Sequence, residues 1–283
     1  MRQLSATGRP VVSLAAILLT LTQCSPEVTQ PNATHKDLQI QLMTSLPIIW
    51  GENGSMEAIL SGAAKPSPIY SYWKSHYQVE AVDSLQGLLI SDPDIVLLAQ
   101  PPAMDPADLA DLDRWVRQGG DVIILADPLL VWPSELPMGD VRRPLSSSLI
   151  GPLLNHWGLE LTVADDQIPE PVDMEWEGIY ISVQTAGAFA LIADRAGENV
   201  QCRINATGFV AQCRVGKGRA ILVSDADFIN ISHSEAEEDR EADQLASATL
   251  FMDRLILGLH HRSRRKNGDF PVVPINRRKK EID

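Results

Sequence analysis

The sequence predicts an α/β domain in which helices cover both faces of a mostly parallel β-sheet. Residues 95–99 and 122–126 form two runs that are apolar throughout, which is typical of strands buried on both faces. A helical pattern lies between these two runs, and strand and helix patterns alternate along much of the remaining chain. The two runs and the helix therefore predict one strand–helix–strand unit, whose crossover we expect to be right-handed.

The helix of this unit has clear start and stop signals. Asp105 is an expected N-cap, Pro106 fits the first helical position, and Gly119 and Gly120 are expected to end the helix. Apolar residues at helical spacing supply its buried face. These are Leu109, Leu112, Trp115 and Val116.

The regions on either side predict further elements. Before the unit we expect a strand at residues 38–43, a Gly-rich loop at 51–62, a helix at 69–76 and a strand at 77–82. After it we expect a helix at 147–157, a strand at 159–163 and an acidic irregular loop at 165–177. Short strands, several of them antiparallel, follow at 179–183, 189–193, 200–204, 209–214 and 220–223, and the last helix is expected at 241–259.

The N-terminus has the residue order of an export signal. Residues 1–24 place Arg2 and Arg9 before a short apolar run, so we expect a signal peptide or an N-terminal membrane anchor. The last four residues, Leu-Thr-Gln-Cys, resemble a bacterial lipobox, which makes Cys24 a candidate for lipidation; an ordinary cleaved signal and an uncleaved anchor are the alternatives. Residues 25–36 are rich in Pro, Gln, Asn and Thr and predict a tether. We expect a location in the bacterial cell envelope, on the periplasmic side of the inner membrane.

Charge separates the body of the chain from its end. The chain has 24 Lys and Arg against 37 Asp and Glu, a net charge of −13, which argues against non-specific nucleic-acid binding. We assign residues 37–260 to the α/β domain and residues 261–283 to a basic flexible tail. That tail either contacts anionic lipid headgroups or is simply solvated.

Two cysteines lie in the run QCRINATGFVAQCRV, which predicts two short strands around a turn. A turn at Thr207 and Gly208 would place Cys202 opposite Cys213. The pair is therefore a candidate disulfide in an oxidising compartment, and the alternative is two buried thiols.

Polar residues follow four of the predicted strands at their carboxyl ends, where open parallel sheets bind ligands. The candidate ligand-binding residues are Thr44, Ser45, Gln100, Asp127, Asp225 and Asp227. The three carboxylates could hold a hard cation such as magnesium. The favoured interpretation is that Asp127 and Asp225 cap turns or helix starts, so no metal site is assigned.

Searches for catalytic motifs exclude several enzyme classes. The sequence has no phosphate-binding P-loop, no GxSxG nucleophile elbow and no HExxH pair. We therefore assign no catalytic residue and no cofactor.

Two segments carry a resemblance to a known family. DIVLLAQPPAMDPADLADLDRWVRQGGDVIILADP and GKGRAILVSDADFIN resemble the auxiliary proteins of uncharacterised ABC-type transport systems, including the gliding-motility auxiliary family. The resemblance implies a flavodoxin-like fold, similar to class I glutamine amidotransferases, held beside permease and ATPase subunits. Amidotransferases of that class use a nucleophilic Cys at a strand-to-helix elbow, whereas Gln100 follows the strand here and the other strand ends also lack Cys.

The resemblance therefore implies a non-catalytic module that binds a partner protein or small ligand at the strand ends. Two rivals stay open from the sequence. One is a metal-dependent hydrolase that uses Asp127, Asp225 and Asp227, and the other is a purely structural envelope protein. Convergence of the three carboxylates in a concave pocket would favour the hydrolase.

Overall fold

A seven-stranded sheet organises this computed structural model, which describes residues 35–51, 56–134, 136–140, 142–163, 171–192, 197–231 and 238–264. The chain divides into two units, residues 1–30 and 31–283, and all described residues lie in the second. The predicted signal segment with Cys24, most of the predicted tether and residues 265–283 of the predicted tail lie outside the described residues.

The strands and helices of the described residues are numbered in chain order. The strands are β1 His35–Thr44, β2 Tyr77–Ala81, β3 Ile95–Ala99, β4 Asp121–Leu125, β5 Leu159–Val163, β6 Val172–Trp176, β7 Ile179–Val183, β8 Gly187–Leu191, β9 Val200–Ile204, β10 Val210–Val215 and β11 Gly218–Val223. The helices are α1 Met56–Ser61, α2 Pro68–His76, α3 Leu88–Ser91, α4 Pro106–Gln118, α5 Gly151–His156 and α6 Glu238–Arg264, with a 3₁₀ turn at Asp227–Ile229.

The order of strands in the main sheet is β2-β1-β3-β4-β11-β10-β9. Each neighbouring pair from β2 to β11 is parallel, whereas β11 with β10 and β10 with β9 are antiparallel. Two small antiparallel pairs, β5 with β8 and β6 with β7, lie outside this sheet. The predicted mixed α/β architecture, with a mostly parallel sheet and an antiparallel section near the C-terminal end, is therefore confirmed.

Two hydrophobic clusters lie on opposite faces of the sheet. Successive residues of β3 alternate between them, since Leu97 belongs to the cluster with α2 and α6, whereas Leu98 belongs to the cluster with α4 and α5. Every residue of β3 and β4 is buried, as expected of parallel strands covered on both sides.

Helix α4 follows its sequence signals residue by residue. The Asp105 side chain accepts a hydrogen bond from the backbone N–H of Ala107 at 2.8 Å, and Pro106 occupies the first helical position. Gly119 ends the helix at a φ of 131°, a conformation that L side chains rarely adopt.

Several predicted boundaries differ from the structure. Helix α1 lies within the predicted loop at residues 51–62, and β6 lies within the predicted irregular loop at 165–177. Exposed acids in β6 alternate with the partly buried Met174 and the buried Trp176, so the acidic composition hid a two-residue strand period. α5 begins four residues later than predicted, because residues 147–150 precede it without helical structure, and α6 extends to Arg264.

The amino ends of β4 and β11 are joined by a buried ion pair. Asp121 and Arg219 are register partners in the parallel ladder, and their side chains are only 4% and 13% exposed. The Arg219 guanidinium donates to both carboxylate oxygens of Asp121, at 3.0 and 2.5 Å. This two-pronged contact satisfies the acid inside the protein.

Cys202 and Cys213 form a disulfide between β9 and β10. The two residues are register partners in the antiparallel ladder, with Cα atoms 4.0 Å apart. Five residues, 205–209, connect the strands, and Asn205 contacts Val210 through both its backbone N–H and its side-chain oxygen. The loop is thus longer than a two-residue turn, and it contains the predicted turn residues Thr207 and Gly208.

Among the described helices, we find none with the length and apolar character needed to cross a bilayer.

Candidate functional site

The carboxyl ends of β1, β3, β4 and β11 form the candidate site. β2 and β3 lie on opposite sides of β1, so the strand order reverses there. Open α/β sheets bind ligands at such a reversal, outside the carboxyl ends of the strands. The six residues predicted for binding all follow these four ends, but they separate into two groups with different surroundings.

The first group uses its side chains to hold the protein backbone. The Ser45 hydroxyl donates to the carbonyl of Gln100 at 2.6 Å, and the Thr44 hydroxyl accepts from the N–H of Leu46 at 2.9 Å. These contacts fix the turn after β1.

Gln100 is fully buried and extends the sheet with its side chain. Its amide oxygen accepts from the N–H of Asp127 at 2.9 Å, and its amide nitrogen donates to the carbonyls of Asp127 and Leu145 at 3.1 and 3.0 Å. Its φ of 42° is in the left-handed region, so the chain turns sharply at the end of β3. Gln100 therefore ties β3 to the segment after β4 instead of facing a ligand.

The second group brings three carboxylates together. Asp127 follows β4, and Asp225 and Asp227 follow β11, which is the parallel neighbour of β4. One oxygen from each carboxylate lies within 4.8 Å of one from each of the others. Asp127 and Asp225 are fully buried and Asp227 is 7% exposed. We call these three residues the aspartate cluster.

Backbone N–H groups satisfy part of the aspartate cluster. Asp127 accepts from the N–H of Leu129 at 2.8 Å and from that of Ala226 at 3.2 Å. Asp225 accepts from the N–H of Phe228 at 3.0 Å. The Leu129 and Phe228 contacts are the local turn-capping contacts that the sequence predicts for Asp127 and Asp225, whereas the Ala226 contact joins the ends of β4 and β11.

Asp227 ties the loop after β4 to the cluster. Its Oδ2 atom accepts from the N–H of Val131 at 2.9 Å, and the Thr185 hydroxyl lies 3.5 Å from the same oxygen. The Oδ1 atom of Asp227 and the Oδ2 atom of Asp225 are buried and have no hydrogen-bond partner in the described residues. Backbone N–H groups therefore reach four of the six carboxylate oxygens and leave two without a donor in the described residues.

Burial and mutual repulsion disfavour the charged form of these acids. Burial raises the pKa of Asp127 to about 7, and the charge of Asp227 raises it as well, whereas the N–H groups of Leu129 and Ala226 act to lower it. Burial, followed by the charges of Asp127 and Asp227, holds the pKa of Asp225 well above its ordinary value. Burial also raises the pKa of Asp227, whereas the Val131 N–H and side-chain hydrogen bonds with Asp127 and Thr185 act to lower it.

Two surface cavities lie away from the aspartate cluster. One is lined by residues of β10, β11 and α6, including Gln212 and Arg219, and the other by residues of α4 and α5, including Asp113 and His156. The carboxylates converge, as a metal-dependent hydrolase would need, but neither of these cavities leads to them.

Two residues that support the aspartate cluster were not predicted from the sequence. The Thr185 hydroxyl donates to the carbonyl of Leu129 at 2.6 Å, which holds the loop after β4. A Cβ atom on Gly187 would lie 2.5 Å from the ring of Pro128, so glycine permits β8 to approach that loop. Thr185 and Gly187 lie in the short sequence Gln-Thr-Ala-Gly between two predicted strands. That position was the sequence signal by which the two residues could have been found.

The segment after β4 exposes apolar side chains. We define the apolar rim as Leu129, Val131, Met138 and Leu149, which are 40%, 41%, 81% and 52% exposed. Hydrogen bonds from Gln100 and to Asp127 and Asp227 hold the backbone of this loop at its base. The rim is thus apolar surface on an anchored support.

Residues 38–174 match the family model described as an ABC-type uncharacterized transport system. The resemblance identified in the sequence is confirmed, and the match indicates a relationship to an auxiliary component of such a system. The matched residues include Gln100 and Asp127, whereas Asp225 and Asp227 lie beyond them. No curated protein matches the chain.

Solved structures are similar at low sequence identity. An exo-β-1,4-mannosidase, Op5Man5, from Opitutaceae bacterium strain TAV5 has 13% identity and a TM-score of 0.42, and the match covers 78% of this chain and 36% of that one. The mmIFT52 N-terminal domain has 11% identity and a TM-score of 0.45, with 83% and 100% covered. The cytoplasmic protein STM1381 from Salmonella typhimurium LT2 has 10% identity and a TM-score of 0.45, with 78% and 99% covered. The chain thus spans about a third of the mannosidase, and we infer no function from these likenesses.

Proposed function

We propose that this chain is a non-catalytic accessory domain of an ABC-type transport system that binds a partner protein through the apolar rim. The observation that carries the proposal is the placement of exposed apolar side chains on an anchored loop at the carboxyl ends of the strands. Apolar side chains on a preorganised support bind at low entropic cost. The family match over residues 38–174 supports a transport-system partner.

The fold and the cysteines are consistent with a binding role. The order β2-β1-β3-β4-β11 is that of flavodoxin-like sheets, which supports the flavodoxin-like assignment. Gln100 occupies the end of β3, and Cys202 and Cys213 are joined in a disulfide, so neither cysteine is a free nucleophile. The hydrolase alternative has converging carboxylates in its favour, but Asp127 and Asp225 have no exposed surface to meet a substrate.

We further propose that the domain is attached to the periplasmic side of the bacterial inner membrane through residues 1–24. The disulfide supports an oxidising compartment. Treatment of native-host extracts with a mass-tagged maleimide should modify Cys202 and Cys213 only after reduction. Modification of both thiols in unreduced extract would contradict the proposed compartment.

The partner proposal is tested by affinity capture of the full-length protein from detergent-solubilised membranes of its native host. Mass spectrometry should identify a polytopic permease and an ATPase subunit among the captured chains. Recovery of this chain alone, in the soluble fraction, would contradict both the attachment and the partnership.

Variants then locate the contact on the apolar rim. The double substitution Met138→Gln and Leu149→Gln should lower permease recovery about tenfold or more, because each apolar side chain buried in an interface contributes about 1 to 3 kcal/mol. Leu250→Gln, on α6, is the matched control, since Leu250 is 44% exposed outside the rim. Equal recovery with the rim variant and with wild type would move the contact elsewhere.

A further inference from the structure

We propose that the aspartate cluster binds one hard divalent cation, of the Mg²⁺ or Ca²⁺ type, which joins the ends of β4 and β11. This inference does not depend on the partner proposed above. It rests on the convergence of the three carboxylates, on two buried oxygens without partners, and on the residues that surround them.

The first step is the convergence of oxygen ligands. Asp127, Asp225 and Asp227 each offer one carboxylate oxygen within 4.8 Å of the others. A set made only of oxygen atoms suits Mg²⁺ or Ca²⁺, whereas zinc prefers nitrogen and sulfur ligands. Each carboxylate oxygen has two lone pairs, so an oxygen of Asp127 can accept a backbone N–H and still bind a cation.

The second step is that two such oxygens are available. The Oδ2 atom of Asp225 and the Oδ1 atom of Asp227 are buried without a hydrogen-bond donor in the described part of the chain. Leaving a buried polar atom unsatisfied is unfavourable, and for a carboxylate oxygen the cost is larger than for a neutral group. A cation between these oxygens would satisfy both.

The third step is the lack of a protein cation. The ion pairs found among the described residues include none made by the three aspartates, although Asp121, at the other end of β4, is paired with Arg219. Bringing three carboxylates together without a positive charge is strongly unfavourable. In their charged forms the three carboxylates need a positive charge that the described residues do not supply, and a bound ion would supply it.

The fourth step is that the backbone holds the ligands in place. N–H groups of Leu129, Val131 and Phe228 orient all three carboxylates. These donors come from the two segments that follow β4 and β11, so an ion would fasten the loop that carries the apolar rim.

The test measures binding of Mg²⁺ and Ca²⁺ to the detergent-solubilised full-length protein after treatment with EDTA. Equilibrium dialysis should find one ion per chain for at least one of the two metals. Millimolar amounts of that metal should raise the unfolding temperature by about 5 °C, because a ligand that binds only the folded state stabilises it. Failure of both metals to bind the wild-type protein would overturn the proposal.

Two substitutions of equal charge change separate the site from general ion effects. Asp225→Asn keeps the acceptor for the Phe228 N–H but removes the charge, and it should reduce the metal-induced shift to below about 1 °C. Asp173→Asn, at an exposed position of β6, should keep the wild-type shift. Should Asp225→Asn fail to fold, Asp227→Asn gives the same comparison. A full shift in both cluster variants, or equal losses in the cluster variant and the control, would overturn the assignment.

Discussion

The β4–β11 pair has acidic residues at both of its ends, and the two ends balance that charge differently. At the amino ends, the Arg219 guanidinium neutralises Asp121 with two hydrogen bonds. At the carboxyl ends, the aspartate cluster receives backbone N–H groups and the Thr185 hydroxyl but no cationic side chain in the described residues, and two of its oxygens have no donor there. At the amino ends, the positive charge opposite the acid comes from the chain itself. At the carboxyl ends, under our proposal, it comes from an ion outside the chain.

The largest expected effect comes from breaking the ion pair at the amino ends. Arg219→Met leaves Asp121 buried without its partner, so the free energy of unfolding should fall by about 3 to 5 kcal/mol. Urea denaturation monitored by tryptophan fluorescence measures this change. Arg219→Lys keeps the charge but loses the two-pronged geometry, and it should recover only part of the loss. A loss below about 1 kcal/mol in Arg219→Met would show that the pair is not needed to balance Asp121.

The second effect is a dependence of folding stability on pH, which arises from the aspartate cluster in protein freed of divalent cations. An acid whose pKa is raised in the folded state favours folding below its ordinary pKa, and that contribution is lost as pH rises through the raised value. With the pKa of Asp127 at about 7 and an ordinary value of 3.8, stability should fall between about pH 4 and pH 7. We expect a loss of about 4 kcal/mol, measured by urea denaturation across this range.

Asp225→Asn sharpens that test. Because Asp225 is itself an acid whose pKa is raised in the folded state, its removal should make the loss with rising pH smaller than in wild type, whereas Asp173→Asn should leave that loss unchanged. Stability that is flat with pH in the cation-free wild type would contradict the account of the aspartate cluster.

The smallest effect concerns the packing that holds the loop against the cluster. Gly187→Ala places a Cβ atom 2.5 Å from Pro128, and the resulting strain should cost about 1 to 3 kcal/mol of unfolding free energy. Gly151→Ala is the control, because a Cβ atom there meets nothing within 4 Å. We expect the control to stay within about 0.5 kcal/mol of wild type. Equal effects of the two substitutions would show that Gly187 is not a packing constraint.

Local signals account for what the sequence predicts well. An uninterrupted apolar run predicts strand β3, and the N-cap at Asp105 predicts the start of helix α4. Both signals come from residues that are neighbours along the chain. β6 was missed because its acids, on the exposed face, masked the inward positions of Met174 and Trp176.

The sequence indicates which residues lie at the candidate site, but it predicts only some of the contacts that their side chains make. The sequence places Asp127, Asp225 and Asp227 at strand ends, but nearly a hundred residues separate Asp127 from Asp225, so their proximity depends on β4 pairing with β11. Gln100 has the polarity of a ligand-binding residue, yet its amide pairs with the backbone around Asp127. Such a role depends on long-range geometry that spacing along the chain does not specify.

The central claim, that the carboxyl end of β4 and β11 takes its positive charge from a bound cation, is tested most directly by anomalous diffraction from crystals grown with Mn²⁺. The account predicts one anomalous peak within about 2.6 Å of an oxygen from each of Asp127, Asp225 and Asp227. The contradicting result is a map with no peak at the cluster, in which the carboxyl groups are hydrogen-bonded to one another through shared protons.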